Sequence, residues 1–287
     1  MIIVTGATGA LNGGTVDHLL ERVPAAEVVV TARDTTKAKR FADRGVEVRR
    51  ADYADPDSLP TAFAGADQLL LVSSSDPGAD ALALHGTAIE AAVAAGVGRI
   101  LYTSHQGAAP GTPFRPGRDH AGTERLLAGS GVPWTSLRNG FYTHSLNWLL
   151  GPWRETGRIV VPADGPVSWT AREDAAEAAA VILTSDGAFD GPTTLTASGA
   201  PTFAELATTA SELTGRPVER VVVDPEEWLA GQVAAGQAEF LARFTLGMYE
   251  AARDGFFAGT DPLLGTLLGR EPRTVREVLA QPAHQSA

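Results

Sequence analysis

The chain opens Met1-Ile2-Ile3-Val4-Thr5-Gly6-Ala7-Thr8-Gly9, an apolar run broken by a glycine turn. Residues of these types in this order can hold a pyrophosphate. A buried strand stops, the backbone turns tightly, and a helix begins with its free N–H groups aimed at the anion. Gly6 suits the tight turn, and Gly9 brings the backbone close to the phosphates. The third glycine of a G-x-x-G-x-x-G pattern would be residue 12, which is Asn12. A side chain at that point predicts a helix pushed outward or a weaker pyrophosphate contact.

Further residues extend the same chemistry. The second apolar run, Val28 to Ala32, ends in Arg33, with Lys37 beyond Asp34. Cations at that edge accommodate the 2′-phosphate of NADP(H), where an acidic residue would select the ribose hydroxyl of NAD(H). Asp34 serves either as a helix N-cap or as a charge that weakens phosphate binding. Asp52 and Tyr53 follow the third run at the place an adenine would occupy, and the same pair would cap a turn. Ser73-Ser74-Ser75 and Thr103-Ser104-His105 put small hydroxyls at the ends of the fourth and fifth runs, where a ribose or carboxamide could lie close. His105 could also donate a proton to a substrate.

Of the 23 basic residues only Lys37 and Lys39 are lysines. Tyr53, Tyr102, Tyr142 and Tyr249 are followed four residues on by Asp57, Gln106, Leu146 and Arg253, so no Tyr-x-x-x-Lys pair exists. That removes the usual device for lowering a tyrosine pKa in ketone reduction. With no cysteine, there is no thiol nucleophile, thiolate zinc site or disulfide, and no metal is expected. A formal net charge of -11 without a basic cluster argues against nucleic acid and anionic membranes as partners. No apolar stretch approaches the roughly 20 residues of a membrane span, and no secretory signal is apparent, so a cytoplasmic location is expected.

The elements that must position these residues alternate between strand and helix. Strands are expected at Ile2 to Thr5, Val28 to Ala32, Val46 to Arg50, Gln68 to Ser73, Arg99 to Thr103 and Trp134 to Arg138, with one more at Thr193 to Ala197. Asp55-Pro56 reads as an N-cap and N1 proline before a helix from Asp57 to Ala64. Other helices are expected at Ala81 to Ala95, Thr123 to Ala128 and Arg172 to Leu183. Residues 151–167 read as an irregular excursion. Thr202-Phe203-Ala204-Glu205 is a capping box for a helix to Leu213, Glu219 to Val223 reads as a strand, and the remainder is alanine-rich and helical. The fold class is α/β: a Rossmann-like doubly wound parallel sheet with a smaller, mostly helical C-terminal substrate lobe. Residues 1–150, with 168–198 returning, form the cofactor-binding domain, and residues 151–167 and 199–287 form the lobe.

Thr5-Gly6-Ala7-Thr8-Gly9, Arg33 with Lys37, Ala51-Asp52-Tyr53, Ser73-Ser74-Ser75, Tyr102-Thr103-Ser104, His120-x-x-Thr123-Glu124 and Leu137-Arg138-Asn139-Gly140-Phe141-Tyr142 together resemble the NmrA-like branch of atypical short-chain dehydrogenases. That branch includes bacterial type-two NAD(P)H:quinone oxidoreductases and triphenylmethane reductases. The resemblance implies that Gly6, Thr8, Gly9, Ala10 and Leu11 contact the pyrophosphate and Arg33 the 2′-phosphate. It puts Ser73, Ser74, Ser75 and Thr103 on the ribose and nicotinamide side, with Arg172 a further cofactor contact. Leu137, Arg138, Asn139, Gly140, Phe141 and Tyr142 would line the substrate pocket. Without the resemblance, Asn139-Gly140 reads as a turn and Arg172 as a charge at a helix start.

Hydride addition to an ordinary ketone builds a basic alkoxide, whereas a quinone yields a delocalised phenolate and a triarylmethyl cation needs no proton. Such electrophiles need mainly a dry slot. Phe141, Tyr142, Trp148, Trp153 and Trp169 could wall one for a small aromatic or quinone-like substrate. The expected function is an NADPH-dependent reductase of such compounds, preferring NADP(H) to NAD(H), with Tyr142 the first choice and His105 the second as proton donor. The alternatives are an NADP-sensing regulator acting through a protein partner and a tailoring enzyme of secondary metabolism with altered chemistry. A homodimer is left open.

Overall fold

The computed structural model describes residues 1–74, 76, 78–185 and 187–280. Seven strands form one sheet: β1 (Ile2–Val4), β2 (Val28–Ala32), β3 (Glu47–Arg50), β4 (Gln68–Leu71), β5 (Arg99–His105), β6 (Trp134–Asn139) and β8 (Gly191–Leu195). Their order is β3-β2-β1-β4-β5-β6-β8. β1 pairs in parallel with both β2 and β4, with Ile3 opposite Val29 on one side and Leu69 on the other. Every residue of β1 and β2 is buried. That is the pattern of parallel strands covered on both faces, and it is why these segments read as unbroken apolar runs rather than alternating ones.

By contacts, the chain divides into two compact units. The first comprises Met1–His105, Asp119–Arg138 and Arg172–Thr193, and the second Gln106–Arg118, Asn139–Ala171 and Thr194–Ala287. Compared with the boundary read at residue 150, segments 106–118 and 139–150 cluster with the second unit. The core of the first unit gathers Ile3, Leu59, Phe63, Leu69, Ile100, Tyr102 and Leu127. Each large apolar side chain fully buried there contributes roughly 1.5–3 kcal/mol.

The helix Ala10–Leu19 packs against the helix Arg172–Leu183, and the contact depends on small residues. A Cβ on Gly14 would sit 3.2 Å from the Ala176 methyl. A Cβ on Gly13 would meet the Ala7 carbonyl at 2.8 Å. The close approach of the helix to the preceding turn is therefore served by Gly13, not by residue 12. Asn12 is buried, and its Nδ2 donates to the Thr5 carbonyl at 2.8 Å. The expected outward displacement has no basis, because the side chain bonds the end of β1 instead of wedging against it.

Three local expectations are corrected. The helix read from Thr123 runs Arg115–Gly129. Pro116 is tolerated in a first turn, and Gly117 and Gly122 are where a Cβ would meet the Gly107 carbonyl at 2.7 Å and Leu82 at 2.9 Å. Asp55 does not cap the following turn with its side chain, because its carboxylate accepts from Arg50 at 2.7 Å. The excursion at 151–167 contains a helical turn, Trp153–Thr156, and a strand, β7 (Arg158–Val161), separated by Gly157 in the left-handed region.

In the second unit β7 pairs in parallel with β9 (Glu219–Val222). The capping box is present: Thr202 Oγ1 accepts from the Glu205 N–H at 3.2 Å, and the Glu205 carboxylate accepts from the Thr202 N–H at 2.8 Å. It opens the helix Phe203–Thr214. The helices Pro225–Ala234 and Glu239–Arg253 follow, around a core that includes Phe141, Trp169, Phe203, Tyr249 and Phe257.

Candidate active site and cofactor cavity

The strand order reverses between β1 and β4, the switch point at which open parallel sheets bind ligands beyond their carboxyl ends. A cavity of about 250 Å3 lies there in the first unit. It is lined by Thr5, Gly6, Thr8 and Gly9 after β1, by Thr31, Ala32 and Arg33 at the end of β2, by Ala51, Asp52 and Tyr53 after β3, and by Val72, Ser73, Ser74 and Asp76 after β4, with Leu84.

Gly6 has φ +61, and a Cβ there would lie 2.6 Å from Val72 Cγ1. Both the conformation and the space require glycine. Gly9 is the N-cap of the helix Ala10–Leu19, where no side chain accepts from the first N–H groups and no acidic residue occupies the first turn. An uncapped helix start facing a cradle that a Cβ would fill is the donor set for a phosphate. Arg33 adds a guanidinium at the β2 edge, paired with Asp76 at 2.8 Å. Asp34 accepts from the Thr36 N–H at 3.0 Å, so it is the N-cap of its turn. Lys37 is exposed and outside the lining.

The hydroxyls are held by the sheet. Thr5 Oγ1 donates to the Leu70 carbonyl at 3.0 Å and accepts from the Val72 N–H at 2.8 Å, tying β1 to the start of the β4 loop. The Tyr53 hydroxyl lies 2.7 Å from it, and burial raises the tyrosine well above its ordinary pKa. Asp52 accepts from the Ala54 N–H at 3.0 Å, so it both caps its turn and lines the cavity.

Ser73 and Ser74 line the cavity, and each is fixed from behind. The Ser73 N–H donates to Thr103 Oγ1 at 2.8 Å, which makes buried Thr103 a support rather than a wall. The Ser74 N–H donates to His85 Nε2 at 2.7 Å, which assigns the ring proton to Nδ1, 2.8 Å from Thr123 Oγ1. Burial pushes His85 down to about 4, so it stays neutral. Ser75 lies outside the described residues.

Behind β5 a second network fixes Ser104, which is also absent from the lining. Its hydroxyl donates to Glu124 at 2.8 Å, as do Ser136 at 2.5 Å and Arg138 at 2.9 Å. Burial pushes the Glu124 carboxyl up, but hydrogen bonds from Arg138, Ser136 and Ser104 outweigh it and hold the carboxyl below its ordinary value. Arg138 is thus committed to Glu124, and Leu137 is buried in β6. His105 stacks on His120 with centroids 6.2 Å apart, and burial pushes it down to about 4. It is a neutral imidazole at physiological pH, without an imidazolium proton to give. Arg172 opens its helix outside the cavity lining, and Ala10 and Leu11 contribute the first helical N–H groups.

In the second unit Asn139 Nδ2 donates to the Tyr142 hydroxyl at 3.1 Å. Asn139 Oδ1 is buried and has no hydrogen-bond partner among the described residues. A Cβ on Gly140 would lie 2.2 Å from Thr170 Oγ1 and 2.5 Å from the Ser168 carbonyl, so this turn also requires glycine. Phe141 packs edge-on against Trp169 at 5.4 Å, and Tyr142 stacks on His144 at 5.7 Å. Trp153 and Trp169 are buried in the core, whereas Trp148 is half-exposed. Sequence reasoning missed Asp76, the acidic partner of Arg33, and His85, the support of Ser74. Asp80 N-caps the helix Ala81–Ala94 that carries His85, and reading that cap with the helical period would have pointed the ring inward.

A doubly wound sheet with a glycine-cradled anion site at its switch point defines a dinucleotide-binding protein of the Rossmann type. Within that class the chain belongs to the NmrA-like family, whose profile matches residues 1–247. It is 33% identical over 280 residues to quinone oxidoreductase 2 of Escherichia coli, covering 96% of each chain. It is 31% identical to an NAD(P)H azoreductase of Xenophilus azovorans, again over 96% of each. The crystal structure of the E. coli NADPH-dependent quinone oxidoreductase with NADPH superposes with a TM-score of 0.91 at 32% identity, covering 98% of this chain and 99% of that one. Triphenylmethane reductase of Citrobacter sp. with NADP(H) gives 0.89 at 35% identity, covering 98% and 100%. Among the described residues no helix is long and apolar enough to cross a membrane.

Proposed function

We propose that this chain is an NADPH-dependent oxidoreductase that reduces quinones or similar conjugated aromatic electrophiles. The observation that carries the reading is the switch-point cavity, which combines a glycine cradle, an uncapped helix start and Arg33. These fit a pyrophosphate and a 2′-phosphate. Relatives named quinone oxidoreductase, azoreductase and triphenylmethane reductase support this substrate class.

On this reading the first unit is the cofactor-binding domain and the second the substrate lobe. Gly6, Thr8, Gly9, Ala10 and Leu11 hold the pyrophosphate and Arg33 the 2′-phosphate. Asp52 and Tyr53 flank the adenine, and Ser73 and Ser74 the ribose side. Asn139, Gly140, Phe141 and Tyr142 are the substrate contacts. Bound NADPH supplies the hydride. The residues of this chain then need only orient a flat acceptor and exclude water during the transfer, because a quinone takes the hydride as a delocalised phenolate that picks up its proton from solvent on release. Tyr142 donates a hydrogen bond to the acceptor oxygen, and His105, held neutral by burial, does not serve as an imidazolium acid.

The test is loss of reduced-nicotinamide absorbance on adding benzoquinone, a naphthoquinone or a triphenylmethane dye to protein and NADPH. Tight NADPH binding with no turnover on any of these would refute the reductase reading and favour an NADP sensor.

A further inference from the structure

A second cavity, of about 460 Å3, opens entirely within the second unit. That volume falls in the range of roughly 300–1,000 Å3 that small-molecule sites occupy. Its aromatic lining is Trp148, Trp228 and Tyr249. Trp228 meets Tyr249 edge-on with centroids 5.6 Å apart, and the Tyr249 hydroxyl donates to the Leu149 carbonyl at 2.8 Å. Those two rings form a rigid floor. Trp148 is 49% exposed, a large indole that its own unit leaves open beside that floor.

The polar lining is equally specific. Gln232 and Gln237 are tied together by a backbone bond of 3.0 Å from the Gln237 N–H to the Gln232 carbonyl. Their side-chain amides have no hydrogen-bond partner among the described residues. Arg158, at the start of β7, is the cation of the lining and makes no ion pair among the described residues, not even with Glu219 opposite it on β9. Phe141 shares a core with Trp228 and Tyr249 but does not line this cavity. The helix Glu239–Arg253 turns Tyr249 toward the cavity, whereas Phe244 on the same helix packs on Phe114 at 5.3 Å.

The geometry points to a binding site for a small planar aromatic anion, an aryl carboxylate or sulfonate. Its ring would stack against Trp148 above the Trp228 and Tyr249 floor, with its acid group on Arg158 and its edge against the two glutamine amides. Aromatic stacking, a guanidinium and free amides form the complement of such a molecule. This site is independent of the switch-point cavity and of any reaction assigned to it.

The experiment titrates the full chain, saturated with NADPH, with naphthoate and with its neutral isostere naphthamide, followed by tryptophan fluorescence and calorimetry. Saturable quenching by naphthoate is expected. Arg158→Ala should weaken naphthoate by about tenfold, the loss of one exposed charge-assisted contact, and leave naphthamide within twofold of wild type. Trp148→Phe should remove most of the quenching while calorimetry still detects binding. Absence of saturable binding to the NADPH-saturated chain, or an equal effect of Arg158→Ala on acid and amide, would overturn the proposal.

Discussion

Arg33 and Asp76 face each other across the mouth of the switch-point cavity, and their pairing makes cofactor choice a quantity that can be predicted. The Arg33 guanidinium lies 2.8 Å from the Asp76 carboxylate, with the side chains 64% and 44% exposed. So exposed a pair stabilises the fold by no more than about 1 kcal/mol. A 2′-phosphate placed on the same guanidinium forms a charge-assisted contact worth roughly 1.5–3 kcal/mol, and exposure argues for the lower end. Arg33→Ala should therefore weaken NADPH about tenfold and leave NADH within twofold. Asp76→Asn removes both a competitor for Arg33 and a like charge beside the phosphate, so NADPH should tighten by about two- to fivefold. In the Arg33→Ala background the gain from Asp76→Asn should shrink to the part due to the like charge, and for wild type the gap between NADPH and NADH should narrow at high salt, where exposed charges are screened. Fluorescence titration of both cofactors against all four proteins at two ionic strengths measures this. Equal loss of NADH and NADPH in Arg33→Ala, or weaker NADPH binding in Asp76→Asn, would refute the assignment of Arg33 to the phosphate.

The remaining predictions concern the supports of the site. Gly6→Ala should abolish NADPH binding while the sheet survives by circular dichroism, because it strains a φ of +61 and brings a methyl within 2.6 Å of Val72; undiminished binding would show that the turn can give. Glu124→Gln leaves Arg138 without its partner and should cost roughly 3 kcal/mol by denaturant unfolding, and a loss under 1 kcal/mol would remove the network from the stability argument. His85 and His105 sit near 4 when folded, and His120 is also held well below its ordinary value. The unfolded chain therefore binds up to three more protons between about pH 6.5 and 4, and stability should drop as pH is lowered through that range, by at most roughly 4 kcal/mol per unit. His85→Gln should flatten that slope by about a third; an unchanged slope would mean the ring is protonated in the fold. Tyr142→Phe should lower kcat for quinones several-fold with little change in NADPH affinity, and an unaltered kcat would remove Tyr142 from the chemistry.

Much of the frame was legible because the signals were local. β2 was readable to the residue, since a parallel strand buried on both faces is an unbroken β-branched run, and the Thr202–Glu205 capping box announces its helix. β7 was not, because four residues between Gly157 and Pro162 are too short to show a period and the strand exists through its pairing with β9. The long helix at Arg115 was hidden by Pro116, Gly117 and Gly122, two of them glycines chosen for close approaches that no local pattern reveals. Among the site residues, those supplied by the glycine turn and the strand ends came together around one cavity. Thr103, Ser104 and Arg138 proved to be supports, because whether a polar side chain faces a ligand or a buried carboxylate is decided by tertiary neighbours such as Glu124.

Asn12 tests that distinction most sharply. By spacing alone it occupies the place of a third glycine, and replacing it with glycine looks like a repair. The packing says otherwise: the close approach belongs to Gly13, where a Cβ would meet the Ala7 carbonyl at 2.8 Å and the Arg40 guanidinium at 2.6 Å. Asn12→Gly would remove the 2.8 Å bond to the Thr5 carbonyl and put a glycine inside a helix. The lost bond costs about 1 kcal/mol and glycine in place of asparagine in the helix a few tenths more, so the variant should be less stable by roughly 1–1.5 kcal/mol. NADPH affinity should not improve, because the Asn12 side chain points at β1 and is absent from the cavity lining. Gly13→Ala, by contrast, must shift backbone at the turn itself and should weaken NADPH as well as the fold. Denaturant unfolding and NADPH titration on the two variants separate the cases. A stabilised Asn12→Gly that binds NADPH more tightly would mean that residue 12 is the close-packing position after all.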